Sequence, residues 1–205
     1  QRKAHYGFLA TEAYFASEGT YDFAVTQWGP QNLRIVLAPP TTTGLTVPKG
    51  SKFADGHNLK GIRLGYVKGN PSVNVKTDAL LAYAGLKRSD ITPVWFGGYG
   101  VMKGARLSGK IDGFLMSPFS GITRELEASP AGIEWIQFDP ADKAGWDRIQ
   151  EIAPMYAPAS TDVGAGMVSG KPVNIAVFRY PMMVTYADRS EAEVYEVAKA
   201  MDEAF

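Results

Sequence analysis

Three short segments of the chain combine small hydrogen-bonding side chains with aromatic rings, a combination that suits the binding of a small organic anion. The segments are 68–73, 97–100 and 116–120, and each follows an apolar run and precedes a helical pattern. The neutral donors and aromatic rings in or beside them are Asn70, Ser72, Asn74, Ser117, Ser120, Tyr99 and Phe119. The same residue types also cap helices in many α/β proteins, so a purely structural role stays open.

The elements around these segments predict that they meet at one edge of a sheet. Strand, short turn and helix repeat between about residues 60 and 130, which is typical of a parallel sheet with helical crossovers. Ligands bind such sheets outside the carboxyl ends of the strands, where helix N-termini favour anions. The predicted strands cover 62–67, 92–96 and 111–115, and the predicted helices cover 73–84, 101–108 and 122–128.

The pattern of strands and helices in the rest of the chain also predicts an α/β fold. Thr11 is the predicted N-cap of a first helix, so Thr11 and Glu12 form the corresponding turn of the first strand–helix unit. Ser190 and Glu193 form a predicted capping box at the start of the last helix. Further strands are predicted over 6–10, 33–38, 44–47, 135–138, 173–178 and 182–186, and further helices over 12–17, 143–152 and 190–205.

Composition excludes several classes of protein. The 205 residues include 21 basic and 21 acidic side chains, two histidines and no cysteine. This balance predicts neither nucleic-acid binding nor a polybasic membrane surface, and no apolar run approaches the roughly 20 residues of a membrane span. Without thiolates, and with His5 and His57 far from other ligand types, we expect no metal and no cofactor.

Enzyme motifs are incomplete. Gly98-Tyr99-Gly100 begins like a dinucleotide fingerprint, but Lys103 occupies the position of the third glycine. Neither a P-loop nor a nucleophile elbow is present. Asp112 has no second carboxylate at a usable spacing, so we predict a structural role for it.

The four tryptophans Trp28, Trp95, Trp135 and Trp146 are predicted core residues, although Trp95 lies near the end of a strand that points to the candidate site.

Three runs of sequence resemble the TAXI family of solute receptors, the extracytoplasmic binding subunits of TRAP transporters. They are Asn58–Gly65, Asp78–Leu86 and Ser108–Phe114, and segments 32–34, 155–159 and 184–201 extend the similarity over nearly all 205 residues. The family usually has a G-S-G-T-like turn where this chain has Asn70-Pro71-Ser72-Val73. It also usually starts with a further strand–helix unit, so we expect a processed or truncated chain with an incomplete first lobe.

The resemblance implies an α/β fold like that of type II periplasmic binding proteins, with two lobes of mixed or parallel sheets joined by hinge strands. Lobe one would comprise 1–45 and 176–205, lobe two 55–172, and the hinges 39–50 and 173–181. A ligand that binds the closed form more tightly shifts the hinge equilibrium. Outside the cytoplasm, the closed receptor would then deliver a small organic anion to the TRAP permease. No covalent bond of the ligand would be made or broken.

Arg179, beside the second predicted hinge, is the expected partner of a ligand carboxylate because a guanidinium binds two oxygens at once. A surface arginine on a strand edge is the alternative. The full set of candidate ligand-binding residues is Thr11, Tyr14, Asn70, Ser72, Val73, Asn74, Tyr99, Ser117, Phe119, Tyr156 and Arg179.

Three other functions stay open at this point. The chain could be an enzyme on the same two-lobed scaffold, although no catalytic pair is found. It could be the effector-sensing part of a transcription regulator, although a helix-turn-helix and a basic face are missing. It could also be a surface antigen or an orphan receptor without a permease.

Overall fold

Strands and helices alternate along the computed structural model, which confirms the predicted α/β class. The structure describes residues 4–21 and 24–204. The chain divides into unit one, residues 1–40 and 179–205, and unit two, residues 41–178. The elements are β1 (Tyr6–Leu9), α1 (Glu12–Glu18), β2 (Leu33–Leu37), β3 (Pro40–Val47), β4 (Arg63–Val67), α2 (Pro71–Ala82), β5 (Thr92–Phe96), α3 (Tyr99–Leu107), β6 (Phe114–Met116), α4 (Gly121–Glu127), β7 (Glu134–Trp135), α5 (Lys143–Ile152), β8 (Ala157–Thr161), β9 (Val173–Arg179), β10 (Met182–Tyr186) and α6 (Glu191–Glu203).

Unit one is built on an antiparallel sheet in which β10 lies between β1 and β2. Ala13 of α1 packs with Met182 and Val184 of β10 in its small core. Thr11 is the N-cap residue of α1, as predicted, but its backbone angles are helical and its side chain makes no capping hydrogen bond. The Ser190 cap of α6 is confirmed, since its hydroxyl accepts a hydrogen bond from the Glu193 amide at 3.2 Å.

Unit two contains parallel and antiparallel strand pairs. β4 and β5 are parallel, and Leu64 forms a parallel bridge with Gly113 just before β6. β6 then pairs antiparallel with β3. The next strands in this sheet are β9, which is hydrogen-bonded to β3, and β8, which is hydrogen-bonded to β9. The predicted parallel sheet is therefore confirmed only for β4, β5 and the bridge between Leu64 and Gly113. Beyond that bridge the sheet is mixed, because β6 pairs with the antiparallel strand β3.

The largest differences from the predicted strands are at β3, β6, β7 and β8. β3 begins at Pro40, whereas the prediction began at Gly44. The strand predicted over 111–115 begins at Phe114, and the one predicted over 135–138 spans only Glu134–Trp135. β8 was not predicted at all. Its sequence, Ala-Pro-Ala-Ser-Thr, has few of the residues that favour strands, and its pairing with β9 determines its conformation.

The core of unit two surrounds these strands and is rich in aromatic rings. Trp135 and Trp146 are 1% and 4% exposed, as predicted for core residues. The same prediction is wrong for Trp28 and Trp95, which are 59% and 42% exposed. Trp95 lies on β5, whose outer edge has no partner strand among the described residues, and this exposes the indole.

Asp112 joins the start of β4 to the approach to β6, in the structural role that the sequence predicts. Its carboxylate accepts hydrogen bonds from the amide and the Nε of Arg63, at 2.8 and 3.1 Å, and from Nη2 of the same residue. Burial by itself raises the pKa of Asp112. The hydrogen bonds and charge of Arg63, helped by the charge of Arg106, outweigh burial and hold the pKa below its ordinary value.

Replacement of Asp112 by Asn should therefore lower the free energy of unfolding at pH 7 by about 1–3 kcal/mol. A depressed pKa in the folded state stabilises the protein above the unfolded pKa of about 3.9, and this contribution disappears as the pH falls through the folded pKa. Urea unfolding between pH 7 and pH 3 should show a shallower acid decline for Asp112→Asn than for wild type. Asp147→Asn, which disrupts the exposed pair with Lys143, is the control. An equal effect of the two substitutions would contradict the role of Asp112.

Candidate functional site

The three predicted segments adjoin at the carboxyl ends of β4, β5 and β6. The Lys68 amide donates a hydrogen bond to the Phe96 carbonyl at 2.8 Å, which joins the first segment to the end of β5, directly before the second. The Tyr99 hydroxyl donates to the Leu115 carbonyl, which joins the second segment to β6, directly before the third. The arrangement expected from strand–helix alternation is thus present within unit two.

In the first segment, the polar side chains support the fold. The side-chain oxygen Oδ1 of Asn70 caps α2 by accepting a hydrogen bond from the Val73 amide at 3.1 Å. Asn74 accepts from the Val67 amide at 3.0 Å and donates to the Val67 carbonyl at 2.8 Å. These bonds hold the end of β4 against the first turn of α2. Ser72 is buried as well, and Val73 packs against the core.

The second segment is open to an approaching ligand. α3 begins at Tyr99, and its N-cap residue is Gly98, which has no side chain that could accept a hydrogen bond. A Cβ atom placed on Gly97, Gly98 or Gly100 would have no heavy atom within 4 Å. The first turn of α3 therefore presents amide groups and the positive end of the helix dipole to accessible space.

The third segment adds an aromatic surface. Phe119 is 52% exposed, and its amide donates to the Ser117 hydroxyl at 3.3 Å. Ser120 caps α4 by accepting from the Thr123 amide at 3.2 Å. The helices that follow the first and third segments thus have side-chain caps, whereas α3 has none, so the second segment is the best anion-binding position of the three.

The remaining candidate residues lie elsewhere. Thr11 is buried and Tyr14 half-buried in unit one, where the Arg179 guanidinium donates to the Ala38 carbonyl at 3.2 Å. Tyr156 is only 1% exposed, and its ring lies edge-on to Phe178, with centroids 5.5 Å apart. Burial raises the pKa of Tyr156. Tyr156 is therefore a core residue of unit two.

Two lysines of unit two were missed by the sequence analysis. Lys68 is exposed and brings a positive charge to the edge formed by the three segments. Lys76 of α2 is only 7% exposed, and its ammonium group lies 4.7 Å from the centroid of the Phe178 ring. A lysine within a helical pattern is normally expected on the solvated face, so sequence offered no signal for its burial.

Neither a metal cluster nor a membrane-spanning helix is found in the described part of the chain. No group of three or more histidine, aspartate or glutamate side chains is close enough to hold a metal ion there. No helix within residues 4–21 and 24–204 has the length and apolar character needed to cross a membrane. His57 lies 3.3 Å from the Asp142 carboxylate and beside the ring of Tyr83.

Replacement of Asn74 by Ala should remove the hydrogen bond to the buried Val67 amide, leave the Val67 carbonyl with only the Asn70 amide at 3.3 Å, and lower the free energy of unfolding by about 1–3 kcal/mol. Asn70→Ala, which removes only the cap of α2, should cost about 1 kcal/mol. Urea unfolding of both variants checks this difference. If Asn74→Ala costs no more than Asn70→Ala, the two bonds to Val67 do not support the site.

Solved structures with a similar fold are periplasmic binding proteins. The aliphatic sulphonate binding protein of Escherichia coli matches with 17% identity and a TM-score of 0.51, over 99% of this chain and 57% of that one. The glutathione-bound periplasmic binding protein of Brucella ovis matches with 13% identity and a TM-score of 0.49, over 92% and 49%. The alkanesulfonate-binding protein of Xanthomonas axonopodis pv. citri matches with 16% identity and a TM-score of 0.46, over 83% and 47%.

This chain spans about half the length of these structures. The Escherichia coli match confirms the predicted likeness in fold to two-lobed periplasmic binding proteins. No curated protein matches the sequence. The model of the NMT1-like family matches residues 1–205. The chain therefore belongs to the NMT1-like family.

Proposed function

We propose that this protein is an extracytoplasmic solute-binding receptor that captures a small organic anion between two lobes and delivers it to a membrane permease. The observation that carries the proposal is the glycine turn at the start of α3, where a helix of nine residues begins without a side-chain cap and faces open space. Amide groups in that setting bind an anion without a charged partner.

The neighbouring residues suit the rest of an organic ligand. Lys68 supplies a positive charge next to the turn, and the exposed ring of Phe119 supplies an apolar surface. A formal net charge of zero means that no general basic field attracts the ligand, so its capture depends on these local groups. We infer that the ligand combines one anionic group with a small apolar part.

A carboxylate or an amino-acid-like metabolite is the ligand that we favour. The sequence resemblance and the expected role of Arg179 both support a carboxylate. A sulphonate presents charged oxygens to the same donors, and the structurally similar Escherichia coli protein is named for aliphatic sulphonates. The two chemistries share the anionic oxygens that the α3 amides would bind, so ligand screening must include both.

The transport step follows from closure of a hinge. Lobe one, 1–45 with 176–205, and lobe two, 55–172, would close around the ligand, which stabilises the closed form by its differential affinity. The TAXI resemblance favours a TRAP-type permease as the partner. Binding and release without bond chemistry would make the protein a receptor and not an enzyme.

Titration with a panel of carboxylates, amino acids and aliphatic sulphonates should raise the melting temperature and change the tryptophan fluorescence.

Gly98→Val, which fills the space before α3, and Lys68→Met should each weaken binding of the best ligand at least tenfold, or about 1.4 kcal/mol. Lys60→Met, at another exposed lysine, is the matched control and should bind normally. Ligand recovered chemically unchanged agrees with a receptor, whereas turnover would contradict it. No response to any member of the panel would remove the main support for the proposal.

Arg179→Ala should weaken binding of a carboxylate ligand tenfold or more, because a paired guanidinium contributes about 1.5–3 kcal/mol. Arg179→Lys keeps the charge but cannot bind two oxygens at once, so it should recover only part of the affinity. Calorimetric titration of both variants checks this role. An affinity for the carboxylate equal to that of wild type would exclude Arg179 from the site.

A further inference from the structure

Unit two contains a cavity of about 370 Å³ that shares no lining residue with the three segments of the candidate site. It lies between β7, with the turn before it, and the segment that leads into β9. Its apolar wall comes from Ile133, Trp135, Met167 and Val173. The volume is within the range of about 300–1,000 Å³ that is typical of small-molecule sites, so a small metabolite fits.

Backbone contacts hold the walls of this cavity in place. The indole of Trp135 donates a hydrogen bond to the Ala165 carbonyl at 2.9 Å, and the Glu127 carboxylate accepts one from the Gly166 amide at 2.7 Å. Gly166 has a φ of +74°, and a Cβ atom there would lie 2.6 Å from the Ile133 side chain. The cavity is therefore formed before any ligand enters.

Four charged side chains line the cavity, and none of them forms an ion pair with another. Neither Lys49 nor Lys171 has an ion-pair partner in the described part of the chain. Glu134 accepts a hydrogen bond from the Gly50 amide at 2.8 Å through one carboxylate oxygen, and Glu127 also uses one oxygen. The cavity thus offers two ammonium groups, two carboxylates and no net charge.

We propose that this cavity is a second small-molecule site, distinct from the ligand site at the start of α3, and that it binds a free amino acid with an apolar side chain. The carboxylate of the amino acid pairs with Lys49 and Lys171, and its ammonium group pairs with Glu127 and Glu134. Its side chain contacts the apolar wall. A simple anion would meet two like charges, and so would a simple cation, so a ligand that carries both charges is favoured.

The test is titration of ¹⁵N-labelled protein with L-leucine and with L-methionine, followed by the indole N–H resonance of Trp135. This resonance should shift saturably, because the Trp135 side chain lines the cavity. N-acetyl-L-leucine lacks the ammonium group and L-leucinamide lacks the carboxylate. Each should bind about tenfold more weakly than leucine, or worse, because each leaves one pair of charges without a partner.

Substitutions separate this cavity from the site at α3. Lys171→Met removes one ammonium group, and Glu127→Gln removes one negative charge but keeps an oxygen that can accept from the Gly166 amide. Each should weaken leucine binding about tenfold or more. Lys60→Met, at an exposed lysine outside the cavity, is the matched control and should bind normally. Gly98→Val, which blocks the α3 site, should also leave the leucine-dependent shift of Trp135 unchanged.

Three results would overturn the proposal. The first is a Trp135 resonance that responds to neither amino acid. The second is binding of N-acetyl-L-leucine as tight as that of leucine. The third is loss of the shift in Gly98→Val together with its retention in Lys171→Met, which would assign the amino acid to the α3 site. The proposal does not depend on the function proposed for that site, because the readout is local to the cavity.

Discussion

The architecture of unit two depends on the close approach of two backbone segments at Gly113. A Cβ atom on this residue would lie 2.2 Å from the Thr46 carbonyl oxygen, so only glycine allows the chain to pass there. On its other side, the Gly113 carbonyl accepts a hydrogen bond from the Gly65 amide at 3.0 Å. Gly113 thereby lies between a parallel neighbour, β4, and an antiparallel neighbour, β3, and this contact aligns the strand ends that carry the candidate site.

The two ends of α3 lie in different surroundings. The N-terminal end offers uncharged amides and a helix dipole to a ligand in accessible space. The C-terminal end buries the guanidinium of Arg106 near a carboxylate that Arg63 already occupies. A protein with no net charge can hold an anion at the N-terminal end because binding there depends on local donors and not on a long-range field.

Patterns with a short range in sequence were the most predictable. Asn70 and Ser120 cap the helices that follow them, and Ser190 caps α6, because a cap needs only its own first turn. Predictions that depend on distant partners were less successful. Trp95 was predicted in the core but lies on an edge strand and is 42% exposed. A ligand contact of Asn74 stays a prediction, and the structure adds that its side-chain amide is engaged by Val67.

The sequence by itself determined the α/β class, the order of most elements and the meeting of three turns at one edge of a sheet, because hydrophobic periodicity and turn residues act locally. Only the tertiary structure decided which of the three turns is open, that β3 makes the sheet mixed, and that Lys76 and Arg106 are buried. Burial and the engagement of a donor depend on which remote segments pack against a residue. A single sequence carries no direct record of those contacts.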